Sequence, residues 1–116
     1  MKHNVIKDKS YAFALRIVKL YQHLKNTKNE YVMSKQLLRS GTSIGANVRE
    51  GEYAESKADF IHKMSIALKE ANETDYWIDL LYHSEYISDL EYKSLSSDII
   101  EILKLLITIV KSSKEK

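Results

Sequence analysis

The sequence contains no proline and only three glycines in 116 residues. Proline ends or kinks a helix and glycine lowers helix stability, so a chain that almost lacks both can form long uninterrupted helices. The apolar fraction of 44% is sufficient for a hydrophobic core, and the charged fraction of 29% is sufficient for a surface in contact with water. This balance favours a folded all-α chain over a disordered or loop-rich one.

Apolar residues recur at intervals of three and four along most of the chain, which is the spacing of one face of an α-helix. Short polar segments interrupt this pattern and divide it into four predicted helices. These span about residues 9–25, 30–50, 57–83 and 89–111. Because the connections are short, consecutive helices should be antiparallel. The sequence therefore predicts one domain over residues 1–116, an antiparallel up-and-down four-helix bundle.

Residues that commonly cap helices mark three of the predicted helix starts. Asp8 is the predicted N-cap of the first helix. Ser56 with Asp59, and Ser88 with Glu91, have the three-residue spacing of a capping box at the third and fourth helices.

All three glycines lie in or beside the second predicted helix. Gly41 and Gly45 are four residues apart, and each costs up to about 1 kcal/mol relative to alanine inside a helix. Their presence favours a close approach by a neighbouring helix, although a helix break at residues 40–43 is an open alternative. Gly51 is predicted at the C′ position after the helix, where glycine is most common, with a turn over residues 51–55.

The fourth predicted helix is more apolar than a bundle helix needs to be. Nine of the twelve residues from Ile99 to Val110 are apolar, and Glu101, Lys104 and Thr108 form one narrow polar stripe. Three neighbouring helices cannot enclose such a helix completely, and soluble monomers avoid a large exposed apolar patch. We therefore expect self-association through this helix. The alternative is that it is the most buried helix of a monomer.

Charge is distributed unevenly between the two halves of the chain. Residues 1–50 carry ten basic and three acidic side chains, a net charge of +7, and residues 51–116 carry eight basic and thirteen acidic ones, a net charge of −5. The asymmetry indicates either attraction between the two hairpins of one bundle, or a polyanionic partner or a charge-matched contact between copies. The residues predicted to contact phosphates are Lys9, Arg16, Lys19, Lys25, Lys28 and Lys35.

Several classes of function find no support in the sequence. The absence of cysteine excludes disulfides, thiolate metal ligands and a cysteine nucleophile. The four histidines lack the Glu-x-x-His spacing of a di-metal bundle, and no serine-nucleophile motif is present. No segment has the apolar run of a signal peptide or the roughly 18 apolar residues of a membrane span. We expect a cytoplasmic protein without catalytic residues, cofactor, metal or membrane association.

Polar residues form a stripe on each of the second and third predicted helices. The stripe on the second helix consists of Arg39, Ser43, Asn47 and Glu50, and that on the third of Glu70, Glu73 and Trp77. If the two stripes face each other, Arg39 can pair with Glu70 or Glu73. We interpret the set as a network that fixes the register of the helices. The alternative is a polar pocket for a small ligand or metal.

The same two helices carry a resemblance to a known family. Residues 39–51, RSGTSIGANVREG, resemble the R-x-x-x-S-I-x-x-N-I-A-E-G signature of the four-helix-bundle family named for proteins encoded in intervening sequences of bacterial 23S rRNA genes. Residues 60–74 are similar to the second motif of that family. Val48 and Arg49 replace the usual Ile-Ala, and residues 69–70 are Lys-Glu in place of a common Gly-Ser pair.

The resemblance implies a closed homo-oligomer, typically a pentameric ring of bundles. A related branch of the family is an accessory protein to the reverse transcriptase of diversity-generating retroelements, in which a basic barrel binds the enzyme and nucleic acid. The polar positions that the family pattern marks, without a catalytic role, are Arg39, Ser43, Asn47, Glu50, Glu70 and Glu73.

We therefore expect a non-enzymatic homo-oligomeric scaffold that binds RNA or a ribonucleoprotein through the basic face of its first hairpin. A partner of this kind includes RNA, DNA or a nucleic-acid-processing protein. The alternatives are a protein–protein adaptor with no nucleic-acid role and a bundle that binds a small ligand.

Overall fold

The computed structural model describes residues 2–115, and side-chain surroundings from residue 5 onward, so residues 1 and 116 of the predicted domain lie outside it. The described residues form four helices and no strand. They are α1 (Lys2–Asn26), α2 (Met33–Glu52), α3 (Lys57–His83) and α4 (Asp89–Lys114). The principal extents of the Cα trace are 46 × 21 × 19 Å. The predicted all-α, antiparallel up-and-down four-helix bundle is confirmed.

Each helix packs against its neighbours in the chain, and α1 also contacts α4. The α1–α4 contact is the sparsest of the four. Going around the bundle, the order is therefore α1, α2, α3, α4 and back to α1. The groove between α1 and α2 and the groove between α3 and α4 consequently lie on opposite sides of the molecule.

The core is formed by apolar side chains from all four helices. The apolar residues that recur at helical spacing supply it, because they are the ones excluded from solvent. Its largest fully buried members are Ile6, Ile17, Leu24, Leu37, Ile44, Met64, Ile78, Leu81, Leu95, Ile99, Ile102 and Leu106. The intervals of three and four that predict the helices are thus also the intervals between their buried residues.

The start of α1 differs from the prediction. The helix begins at Lys2, about two turns before the predicted start, and Asp8 is an exposed residue within the helix rather than its N-cap. Ile6 lies seven residues before Phe13 on the same face and is buried in the core. Burial of this earlier apolar residue, and not a capping side chain, extends the helix toward the N-terminus.

The start of α2 is set by a carboxylate outside the helix. Glu30, predicted to be the first helical residue, instead accepts hydrogen bonds from the backbone N–H groups of Val32 at 3.2 Å, Met33 at 3.1 Å and Ser34 at 2.7 Å. The Ser34 hydroxyl donates back to the Glu30 carbonyl at 2.7 Å. Burial raises the pKa of Glu30, but the hydrogen bonds outweigh it and hold the pKa below its ordinary value.

The starts of α3 and α4 are those predicted. The Ser56 hydroxyl accepts from the backbone N–H of Asp59, and the Ser88 hydroxyl from that of Glu91, each at 3.1 Å. α4 extends to Lys114, three residues beyond the predicted end. Capping-box spacing was therefore a reliable signal in this chain.

The glycines act by their small size. A Cβ on Gly41 would lie 3.0 Å from the Ile17 side chain, and one on Gly45 would lie 3.3 Å from the carbonyl oxygen of Ser10. α2 is unbroken through residues 40–43, so the alternative of a break is wrong. Gly51 is helical with a negative φ, and not a C′ residue, because α2 continues to Glu52. A side chain on Gly51 would collide with a methionine methyl group of α3.

Replacement of Glu30 with glutamine should lower the free energy of unfolding by about 1 kcal/mol at pH 7, the typical cost of a lost helix cap. The pKa of Glu30 is depressed in the folded state, so its contribution is present above the unfolded pKa of about 4.3 and is lost as the pH falls below it. Urea unfolding at pH 7 and pH 3 should show the difference from wild type shrinking at pH 3. The exposed Glu85→Gln is the control, and a pH-independent difference would contradict the capping role.

Candidate functional site

The two predicted polar stripes meet where α2 packs against α3. Arg39 donates from Nη1 to Oε1 of Glu70 at 3.0 Å and from Nη2 to Oε2 of Glu73. The indole Nε1 of Trp77 donates to the same Glu73 oxygen at 3.0 Å. The expected pairing of Arg39 is therefore present with both glutamates, and Glu73 is shared between a guanidinium and an indole.

This network lies over a buried hydrogen bond between the same two helices. The Thr74 hydroxyl donates to the Ser40 hydroxyl at 2.9 Å, and both side chains are fully buried. Above them, the side chain of Glu70 is 16% exposed and that of Arg39 is 48% exposed. This hydrogen bond forms at one relative position of the two helices and is lost if either helix shifts along its axis, so it favours the observed register.

The remaining polar positions of the α2 stripe do not join the network. The Ser43 hydroxyl donates to the Arg39 carbonyl at 2.6 Å, and Nδ2 of Asn47 donates to the Ser43 carbonyl at 2.9 Å, both within α2. Glu50 pairs with Nζ of Lys63 at 2.9 Å. The carboxylates that a ligand or metal would need are already bonded to Arg39 and to Trp77, which favours the interpretation as a packing network.

The six residues predicted to bind phosphate fall into two groups. In the first, Nζ of Lys9 lies 3.0 Å from Glu101, and Nη1 of Arg16 lies 2.9 Å from Asp98. These ion pairs connect α1 to α4. The second group is exposed and, within residues 5–115, has no carboxylate oxygen within 4.0 Å; it consists of Lys19, Lys25, Lys28 and Lys35.

The opposite charges of the two halves of the chain attract each other inside the bundle. The α1–α4 pairs and the Arg39 network join the two hairpins, whereas the pair of Lys7 Nζ with Glu52, at 3.3 Å, joins α1 to α2 within the first hairpin. Exposed pairs of this kind contribute little stability individually, typically below about 1 kcal/mol. They neutralise part of the asymmetry, however, and the interpretation that the hairpins attract each other within one molecule is supported for those residues.

α4 retains exposed apolar side chains although the bundle is complete. Ile100 is 46% and Ile107 is 51% exposed, while Ile99, Ile102 and Leu106 on its inner side are buried. The expectation that three neighbours cannot enclose α4 is confirmed for these residues. Self-association through them stays a prediction.

A groove that the sequence did not reveal runs between α3 and α4. It has a volume of about 760 Å³ and is lined by Asp75, Tyr76 and Asp79 of α3 and by Tyr92 and Ile100 of α4, among others. The Tyr92 hydroxyl donates to Asp79 at 2.7 Å. Burial, and then the charge of Asp79, raise the pKa of Asp75. The sequence feature that could have indicated this groove is a pair of aspartates four residues apart, beside an exposed tyrosine, on the outer side of a helix.

A second groove lies on the opposite side of the bundle, between α1 and α2. It has a volume of about 360 Å³, and its middle is lined by small residues that include Ala14, Gly45 and Ala46. At one end the guanidinium of Arg49 lies 5.6 Å from the ring centroid of Tyr11. The small residues that bring α1 and α2 together thus also leave a channel between them.

Two classes of site are not found in the described part of the chain. Residues 5–115 contain no group of three His, Asp or Glu side chains placed to hold a metal ion. Within the same limits, no helix combines the length and apolar character needed to cross a membrane. Buried polar side-chain atoms there all have hydrogen-bond partners.

Comparison with known proteins identifies close relatives of this fold. The family described as 23S rRNA-intervening sequence protein matches residues 2–108. A crystal structure of a protein with unknown function from the S23 ribosomal protein family of Bacteroides thetaiotaomicron is 63% identical in sequence. The structural match covers 96% of this chain and 99% of the crystallised chain, with a TM-score of 0.94. No curated protein matches.

Replacement of Arg39 with methionine should lower the free energy of unfolding by about 1 kcal/mol, because it leaves the partly buried Glu70 without its cation. Lys63→Met, which breaks a more exposed pair, is the matched control and should lower the free energy of unfolding by less than Arg39→Met does. Adding Glu70→Gln and Glu73→Gln to Arg39→Met should recover part of the loss. Equal effects of the two single changes in urea unfolding would contradict a register-setting network.

Proposed function

This chain belongs to the family of 23S rRNA-intervening sequence proteins, and we propose that it is a non-enzymatic scaffold that acts as a closed homo-oligomer. The observation that supports the proposal is the exposed apolar surface of α4 around Ile100 and Ile107. Burial of one such side chain contributes about 1.5–3 kcal/mol, and half of each is already buried in the bundle. Contact between copies would bury this surface, which the fold of a single chain leaves exposed to solvent.

The proposed assembly is a ring, since a contact between two different surfaces of one protein closes into a ring when the rotation permits. The family resemblance implies five copies. The proposal assigns no catalytic residue, because the carboxylates of Glu70 and Glu73 are held by Arg39 and Trp77. It places the assembly in the cytoplasm, where a chain without cysteine has no disulfide to lose.

Light scattering on the purified protein should give a molar mass several times the 13.5 kDa of one chain, and about five times for the implied ring. Ile100→Glu combined with Ile107→Glu should lower that mass. Both positions are half exposed, so helix content by circular dichroism should be unchanged. Leu90→Glu, at an exposed position in the first turn of α4, is the control. A monomeric wild type at about 100 µM would contradict the proposal.

A second candidate function is binding of RNA or a ribonucleoprotein through the basic residues of the first hairpin. The observation that favours it is the group of four lysines without carboxylate partners, Lys19, Lys25, Lys28 and Lys35. Nζ of Lys25 also lies 5.8 Å from the ring centroid of Tyr21, so an aromatic face accompanies the charge. Lys9 and Arg16 are paired with carboxylates of α4, so the proposal gives them a weaker role in binding phosphate. Repetition around a ring would multiply a modest charge.

Lys19→Glu combined with Lys28→Glu should weaken RNA binding in a gel-shift series and reduce its dependence on salt, because each lost phosphate contact removes about 0.7–0.9 from the slope of log K against log salt. Lys111→Glu combined with Lys114→Glu, at the far end of α4, gives the same charge change as a control. Absence of RNA and DNA binding by the wild type at low salt would leave the protein–protein adaptor as the function of the scaffold.

A further inference from the structure

The end of α3 and the start of α4 hold two tyrosine rings against each other. Tyr82 lies in the last turn of α3 and Tyr92 in the first turn of α4. Their ring centroids are 3.9 Å apart, and the ring planes differ by 9°. Aromatic pairs in proteins usually have centroids about 4.5–7 Å apart, so these two rings are in unusually close parallel contact. Within residues 5–115, which include all eight tyrosines, no other two tyrosine rings are in contact.

Each of the two phenols donates a hydrogen bond to a carboxylate on the other helix. The Tyr82 hydroxyl donates to Oδ1 of Asp89 at 2.5 Å, and the Tyr92 hydroxyl donates to Oδ1 of Asp79 at 2.7 Å. These distances are typical of a hydroxyl bonded to an ionised carboxylate. The two hydrogen bonds are the main cause that raises the pKa of both tyrosines. Each phenol is therefore neutral at pH 7 and has a base in place to accept its proton.

The backbone of the turn fixes the two rings in this position. The N–H of Glu85 donates to the Tyr82 carbonyl at 3.0 Å, and the N–H of Tyr86 donates to the Leu81 carbonyl at 2.9 Å. The rings of Tyr82 and Tyr92 are half-buried and pack against the hydrophobic core. A reaction between groups held together in this way needs no encounter in solution and is strongly favoured over the same reaction between separate molecules.

Oxidation makes such a pair reactive. Removal of one electron and the phenolic proton leaves a radical that is shared between the oxygen and the ring carbons ortho to it, the Cε atoms. When both rings are oxidised, a bond forms between one Cε of Tyr82 and one Cε of Tyr92. The hydrogens on these two carbons then move to the oxygens and restore both phenols. In total the oxidant takes up two electrons, and Asp89 and Asp79 accept two protons and pass them to water.

We propose that Tyr82 and Tyr92 form a covalent modification site, at which an external one-electron oxidant, such as a peroxide-activated haem, joins the two side chains as dityrosine. The new bond ties the end of α3 to the start of α4. A chain without cysteine has no disulfide, and this contact supplies a different covalent link between helices. Both rings belong to one chain, so the site does not depend on the proposed assembly.

Illumination of the wild-type protein with tris(bipyridyl)ruthenium and persulfate, which generate a one-electron oxidant, tests the proposal. The product should show dityrosine fluorescence, migrate as a single chain on a denaturing gel and have lost two hydrogen atoms by mass spectrometry. Cleavage after Glu85 or Glu91 separates the two tyrosines in the sequence. The two peptides should nevertheless stay joined, through residues 82 and 92.

Phenylalanine variants test which tyrosines react. Tyr82→Phe and Tyr92→Phe should each abolish the product within one chain, because phenylalanine keeps the ring but has no phenolic hydrogen to lose. Helix content by circular dichroism should be unchanged, since the ring packing is retained. Tyr53→Phe is the control: Tyr53 is 80% exposed to the oxidant and, within the described residues, contacts no tyrosine ring. The yield of this control should equal that of the wild type.

Asp79→Asn combined with Asp89→Asn tests the carboxylates as proton acceptors. Asparagine keeps an acceptor oxygen but is a much weaker base, so the yield at pH 7 should fall. An ionised phenol needs no proton acceptor, so the difference from wild type should shrink as the pH is raised to about 10, the ordinary pKa of tyrosine. Asp75→Asn, in the same groove, should have no effect. A deficit that is equal at both pH values would overturn the assigned proton transfer.

Three results would overturn the modification site itself. These are complete separation of the two peptides on cleavage, a yield within one chain that Tyr82→Phe leaves unchanged, and dityrosine found only in multiples of the chain mass. None of these results alters the expected mass of the native assembly, so the scaffold proposal is tested separately by light scattering.

Discussion

Close packing of α2 on both of its neighbours is the constraint on which the rest of the structure depends. Side chains at its contacts are small: Gly41 meets Ile17 of α1, and Ser40 bonds to Thr74 of α3. The small residues allow the helices to approach, and the hydroxyl pair fixes their relative height. Arg39 can then reach both Glu70 and Glu73, so the surface network follows from the spacing beneath it. The α1–α2 channel is a further product of the same small side chains.

Burial and charge have separate roles in this bundle. Apolar packing among all four helices forms the core, whereas the ion pairs lie at the surface and join oppositely charged side chains on different helices. The uneven charge of the sequence therefore has two parts. One part is neutralised by ion pairs within the same chain, as for Arg16 and Asp98. The other part, which includes Lys25 and Asp79, faces solvent on opposite sides and is available to partners or to further copies of the chain.

The fold was predictable because periodicity and capping are local signals. Ser56 and Ser88 marked helix starts correctly, since each cap acts on residues three positions away. The role of Glu30 was predicted wrongly, because a carboxylate four residues before its farthest donor, the Ser34 N–H, resembles an ordinary helical residue until the backbone path is known. The pairing of Arg39 could be anticipated from two stripes. The grooves could not be anticipated, because their walls come from different helices. The ion pairs of Lys9 and Arg16 could not be anticipated either, because their partners lie more than 80 residues away in the sequence.

The sparse contact between α1 and α4 has a consequence for the dynamics of the chain. This side of the bundle has the fewest close approaches and is bridged at its surface by Lys9–Glu101 and Arg16–Asp98, both sensitive to salt. Local opening should therefore begin here, and amide hydrogen exchange should be faster in α1 than in α2. Because α1 is joined to the rest by a single turn, opening also frees it to dock on another copy, so the same seam that closes the monomer is the natural point for domain swapping.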